Sequence, residues 1–84
     1  MNDSDPIDLA ALQVIDNIDR HGGFAAAARA SGRAPSAISY VVSQLEAQLG
    51  VTLFRSEGRR AVLTNAGRAL LDGGRELLAH ADSL

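Results

Sequence analysis

At 84 residues the chain has room for one domain with one core, and folding at this size buries roughly 60–65% of the unfolded surface. It has no cysteine, which excludes disulfides, thiolate metal sites and a cysteine nucleophile. The net charge is −2, which taken alone argues against a nucleic-acid partner.

That average hides a segregation. Residues 1–19 carry Asp3, Asp5, Asp8, Asp16 and Asp19 and no base, a charge of −5. Residues 20–68 carry seven arginines against Glu46 and Glu57, a charge of +5. Residues 69–84 set Arg75 against Asp72, Glu76 and Asp82, a charge of −2. Every basic residue is arginine, whose rigid fork suits phosphates and base edges. The start, "MNDSDPID", is acidic and has no apolar stretch after it, so no signal peptide is expected. No apolar run approaches the ~18 residues of a membrane span.

The first helix is expected from about Pro6 to His21, with Asp5 as cap and Pro6 in the first turn, or with Asp8 capping a shorter version. Leu9, Leu12, Ile15 and Ile18 recur at helical spacing and form its buried stripe. A short alanine-rich helix follows from about Phe24 to Ala30 and ends at Gly32. The turn "GRA" leads to Pro35, which opens a third helix running from about Pro35 to Leu49. At about 100° per residue, Ile38, Val42, Leu45 and Leu49 share one face, and Ser36, Ser39, Tyr40 and Ser43 share the opposite one. Two β-prone runs, "VTLF" and "AVLT", flank the turn "RSEGRR", which brings Arg55, Arg59 and Arg60 to a hairpin tip. Thr64 caps a last helix from about Asn65 to the end, along which Leu70, Leu77 and Leu84 repeat at seven, as do Leu71 and Leu78. Such a stripe packs on this domain or on a partner. Gly73 and Gly74 sit inside that helix, each at a cost of about 1 kcal/mol unless something packs closely there.

Two helices joined by a three-residue turn make a helix-turn-helix, whose second helix presents its first turns to base edges in the major groove. Short hydroxyls on that face permit close approach and hydrogen-bond to phosphates and base edges. A basic hairpin beside it serves as a wing for the backbone or the minor groove. The competing reading is a helical protein-interaction module in which the leucine stripe and acidic first helix bind a partner without DNA. No enzyme is expected: His21 and His80 have no partner at metal spacing, Glu46 and Glu57 have no paired carboxylate, and no phosphate-binding glycine loop follows a strand. No metal or cofactor is expected.

Taken in order, "DLAAL", "GGF", Ala27–Ala28, "SAIS", "QLEAQLGVTLF", "GRRAVL" and "LTNAG" resemble the N-terminal winged helix-turn-helix domain of LysR-type transcriptional regulators over about residues 7 to 84. The resemblance implies a mostly α fold with a three-helix core, a two-stranded β wing and a long C-terminal linker helix. It implies a DNA-binding domain over 1–64, with the helix-turn-helix at about 24–43 and the wing at about 52–64, and a linker and dimerisation helix over 65–84. It implies sequence-specific binding of double-stranded operator DNA in a bacterial cytoplasm, at the nucleoid. The recognition helix 35–49 would lie in the major groove and the wing 55–60 on the backbone or minor groove. The DNA-binding set is Arg33, Pro35, Ser36, Ser39, Tyr40, Ser43, Arg55, Arg59 and Arg60. The dimerisation set is Leu70, Leu71, Leu77, Leu78 and Leu84, with a second copy as partner. A small-molecule inducer would belong to a separate effector domain. The sequence departs from the family at Ala34–Pro35, where a serine-glutamine pair is common, at Tyr40, where arginine is common, and at Ser56, with Arg55 one place early. These departures shift the expected specificity toward hydroxyl contacts, Tyr40 and DNA shape.

Overall fold

A computed structural model describes residues 9–82 as α1 (Leu9–His21), α2 (Phe24–Ser31), α3 (Pro35–Leu49), β1 (Phe54–Glu57), β2 (Arg60–Leu63) and α4 (Asn65–Asp82). The expected helix start at Pro6 and the residue Leu84 lie outside the described residues. No described helix is long and apolar enough to cross a membrane.

Helix α1 is the hub, packing on α2, α3, α4 and β2. Its buried face carries Ala11, Leu12, Val14, Ile15 and Ile18, whereas Leu9, expected in the stripe, lies exposed at the helix start. Ala27 and Ala28 are buried, and their small side chains let α2 sit close to its neighbours. Helix α3 begins without a side-chain cap. Pro35 instead holds Ala34 in the extended region, which separates turn from helix. Ile38, Val42 and Leu45 of α3 enter the core with Leu53, Phe54 and Leu63 of the hairpin. The Phe24 and Phe54 rings meet edge to face at 5.7 Å and tie α2 to β1.

The hairpin differs from the sequence expectation. The strands are not 51–54 and 61–64; they pair Phe54 with Leu63 through to Glu57 with Arg60, around a two-residue turn at Gly58 and Arg59. The segment before Phe54 is used elsewhere. The Leu53 amide donates to Glu46 Oε2 at 2.7 Å, the Leu53 carbonyl accepts the Thr64 amide at 3.0 Å, and the Thr52 carbonyl accepts the Thr64 hydroxyl. These bonds hold the segment between the end of α3 and the start of α4, so the ladder begins only at Phe54, three residues after the expected start. Gly58 takes a φ of 62°, and glycine at the first central position is what a tight hairpin turn of this hand requires.

Helix α4 opens with the expected Thr64 cap, whose Oγ1 accepts the Gly67 amide at 3.0 Å. Leu71 is fully buried, and Leu70 packs against the same core. Gly74 faces Leu12 so closely that a Cβ there would lie 2.5 Å from Leu12 Cδ2. Arg75 then reaches α1, donating from Nη2 to Asp19 at 2.7 Å and from Nε to Asp16 at 3.2 Å. Asp16 is 9% exposed and also accepts from Arg20 at 2.7 Å. The hydrogen bond to Asp19 raises the Arg75 pKa further above its usual value, against a smaller lowering by desolvation. Arg75 therefore remains a cation wherever the fold exists. Replacing it, Arg75→Ala, strands the Asp16 carboxylate with one exposed partner. The expected loss is about 1–2 kcal/mol, kept modest by the side chain's partial exposure. A lower urea midpoint at unchanged slope is the check.

Candidate nucleic-acid interface

The outward face of α3 is built by elimination. Its apolar residues anchor it to α1 and α2, so Ser36, Ser39, Tyr40 and Ser43 are exposed. Tyr40 is 64% exposed, the most open large hydrophobic side chain among the described residues. The structure divides the expected set. Ser39 and Ser43 look toward the wing across an open groove of about 450 Å³, whose far wall includes Arg55, Ser56, Arg59 and Arg60. Tyr40 lines a smaller groove of about 250 Å³ on the other flank, with Arg33 and Gln44. Pro35 and Ser36 are exposed in the first turn of α3.

The charges around these grooves are unequal in availability. Arg55 gives Nε and Nη2 to Glu57 Oε2 at 3.0 and 2.9 Å, so part of its charge is met two residues along the same strand. Arg33, Arg59 and Arg60 make no ion pair among the described residues. Arg59 occupies the exposed turn. The Arg60 guanidinium lies over Gly22, beside the bond from the Ala61 amide to the Gly22 carbonyl at 3.1 Å.

The sequence pattern described as bacterial regulatory helix-turn-helix protein, lysR family, matches residues 9–68. The chain belongs to the LysR family. Within it, the chain is 55% identical over 76 residues to the probable HTH-type transcriptional regulator YhaJ of Escherichia coli K12, covering 90% of this chain and 26% of that protein. It is 46% identical over 68 residues to the HTH-type transcriptional regulator PunR of the same organism, covering 81% and 22%. The chain thus spans about a quarter of the length of the curated relatives it matches. Among solved structures, the DNA complex of the CbnR DNA-binding domain superposes with a TM-score of 0.83 at 31% identity, covering 92% of this chain and 88% of that one. The BenM DNA-binding domain in complex with catB site 1 DNA shares the fold, with a TM-score of 0.85 at 23% identity, covering 92% and 86%. These LysR-family relatives are named as regulators, not as enzymes.

Sequence reasoning missed three residues around these grooves. Glu46 links the end of the recognition helix to the wing, a role signalled by a lone carboxylate at the border of an apolar stripe. Gln44 shares a groove with Tyr40 and Arg33. Gly22 receives the Arg60 side chain, a contact without local sequence signal. Of the dimerisation set, Leu71 belongs to the core and Leu70 packs on it. The Leu77 and Leu78 side chains lie outside the described residues.

Proposed function

We infer that this domain binds double-stranded DNA sequence-specifically as part of a bacterial transcription regulator, with α3 in the major groove and the hairpin as the wing. The observation that carries this reading is the shared groove: recognition-helix hydroxyls and wing arginines face one another across it. Ser36, Ser39, Tyr40 and Ser43 reach base edges or phosphates, with Pro35 shaping the approach of the first turn. Arg33, Arg55 and Arg59 supply backbone contacts, and Arg60 belongs to the wing wall of the same groove. A protein-interaction module without DNA gives no reason for unpaired arginines beside a hydroxyl-lined helix. Two domains pair through the leucine repeat that the sequence continues to Leu77, Leu78 and Leu84, and the site of action is the cytoplasmic nucleoid.

The test is fluorescence anisotropy of a mixed-sequence duplex at about 50 and 200 mM salt. With about five phosphates met, affinity is expected to fall on the order of a hundred- to a thousandfold between the two. A folded, stably dimeric sample that binds at neither salt refutes the reading. Within the site, Arg59→Ala is expected to weaken binding to all sequences and reduce the salt slope by about 1. Ser39→Ala or Tyr40→Ala is expected to change which sequences are selected from a random pool. An unchanged preferred-site profile removes those side chains from base recognition.

A further inference from the structure

Two neighbouring arginines of the wing occupy different surroundings. Arg59 sits in the exposed turn, with no ion pair among the described residues. Arg60 begins β2, and its guanidinium turns back onto the α1–α2 junction. A Cβ built on Gly22 would lie 3.1 Å from Arg60 Cζ and Nη2 and 3.2 Å from Nη1, so the whole guanidinium plane covers that glycine. Gly22 has a φ of 79° and donates its amide to the Ile18 carbonyl at 2.8 Å, closing the carboxyl end of α1. A cation there meets the negative end of the α1 dipole. The next residue, Ala61, donates its amide to the Gly22 carbonyl at 3.1 Å, a backbone bond between wing and helical core. Across the groove from this seat stand Ser39 and Ser43 of the recognition helix.

We propose that Arg60 is a positioning residue: its planar guanidinium, seated on Gly22, sets the distance between wing and recognition helix, and Arg59 meets the DNA. This rests on the DNA-binding reading above and divides the labour within its arginine set. The chemistry separates the two roles. A phosphate contact needs charge, which lysine supplies; a plane laid over a glycine backbone needs the guanidinium, which lysine lacks. Gly22 is the other half of the device, because a Cβ there would press on the guanidinium at 3.1–3.2 Å and its φ of 79° disfavours a side chain.

The experiment compares Arg60→Lys, Arg59→Lys and Gly22→Asn in the full chain, asparagine being tolerated at positive φ. Thermal melting establishes that each is folded. The first readout needs no DNA: hydrogen exchange at the Ala61 amide. Arg60→Lys and Gly22→Asn are expected to speed that exchange at least about tenfold relative to core α3 amides, and Arg59→Lys to leave it unchanged. The second readout is affinity and its salt slope. Arg60→Lys and Gly22→Asn are expected to weaken binding about three- to tenfold with the slope intact, since no charge is lost. Parental exchange and parental affinity in Arg60→Lys would show that charge alone matters at this position and overturn the proposal. Faster exchange with unaltered affinity would also overturn it, by uncoupling the seat from recognition. If the parent itself fails to bind DNA, the functional reading falls, while the exchange data still decide whether Arg60 holds the wing.

Discussion

Gly67→Ala is expected to destabilise the domain by about 3 kcal/mol, which for a chain of this size lowers the melting temperature by roughly 10–20 °C. A Cβ at this position would run into the Leu53 carbonyl oxygen and lie 2.9 Å from Leu63 Cδ2. The carbonyl cannot withdraw cheaply, because it already accepts the Thr64 amide at 3.0 Å. Gly67 cannot withdraw either, because its own amide is the one capped by Thr64. Relief therefore requires moving α4 away from the β1 entrance and opening the core around Leu63 and Leu71. The control lies on the same helix. A Cβ on Gly73 meets nothing within 4 Å among the described residues, so Gly73→Ala is expected to stabilise by about 1 kcal/mol through helix propensity. Thermal melts by circular dichroism distinguish the two, and equal shifts of one sign would refute the packing account.

Glu46→Ala is expected to damage stability and recognition together. Its carboxylate receives the amide of Leu53, a residue with no exposed surface. Removing the acceptor leaves that donor without its partner, at a cost of about 1–3 kcal/mol. The same bond joins the last turns of the recognition helix to the residue that leads into β1, so a loosened wing is expected to lower DNA affinity about tenfold, equivalent to 1.4 kcal/mol. Glu46→Gln retains an oxygen acceptor and should recover much of both losses. An unchanged melting temperature in Glu46→Ala would mean that the Leu53 amide finds an equivalent partner, and the bond would lose its structural meaning.

What could be read from the chain was local. Pro35 and Gly50 bracket the recognition helix within sequence reach, and its two faces follow from a period of 3.6. Thr64 announces the last helix by its chemistry alone. The strand register was not legible, because it depends on bonds from Leu53 to Glu46 and Thr64 that compete with ladder pairing. The Arg75–Asp16 contact spans 59 residues and has no periodic signature. Net charge misled for a related reason. Asp16 and Asp19 are answered by Arg20 and Arg75, so these two of the five early carboxylates are met within the fold. Arg33 and Arg59 keep their charge for solvent or a ligand.

The hub position of α1 has a mechanical consequence. Recognition helix, wing and α4 are all seated on one helix, and Arg75 pins α4 to it eleven residues into an 18-residue rod. At about 1.5 Å per residue that rod is about 27 Å long, with roughly two-thirds of it clamped. Any pull on its far end rotates the reading head as one body and leaves the spacing of helix and wing unaltered.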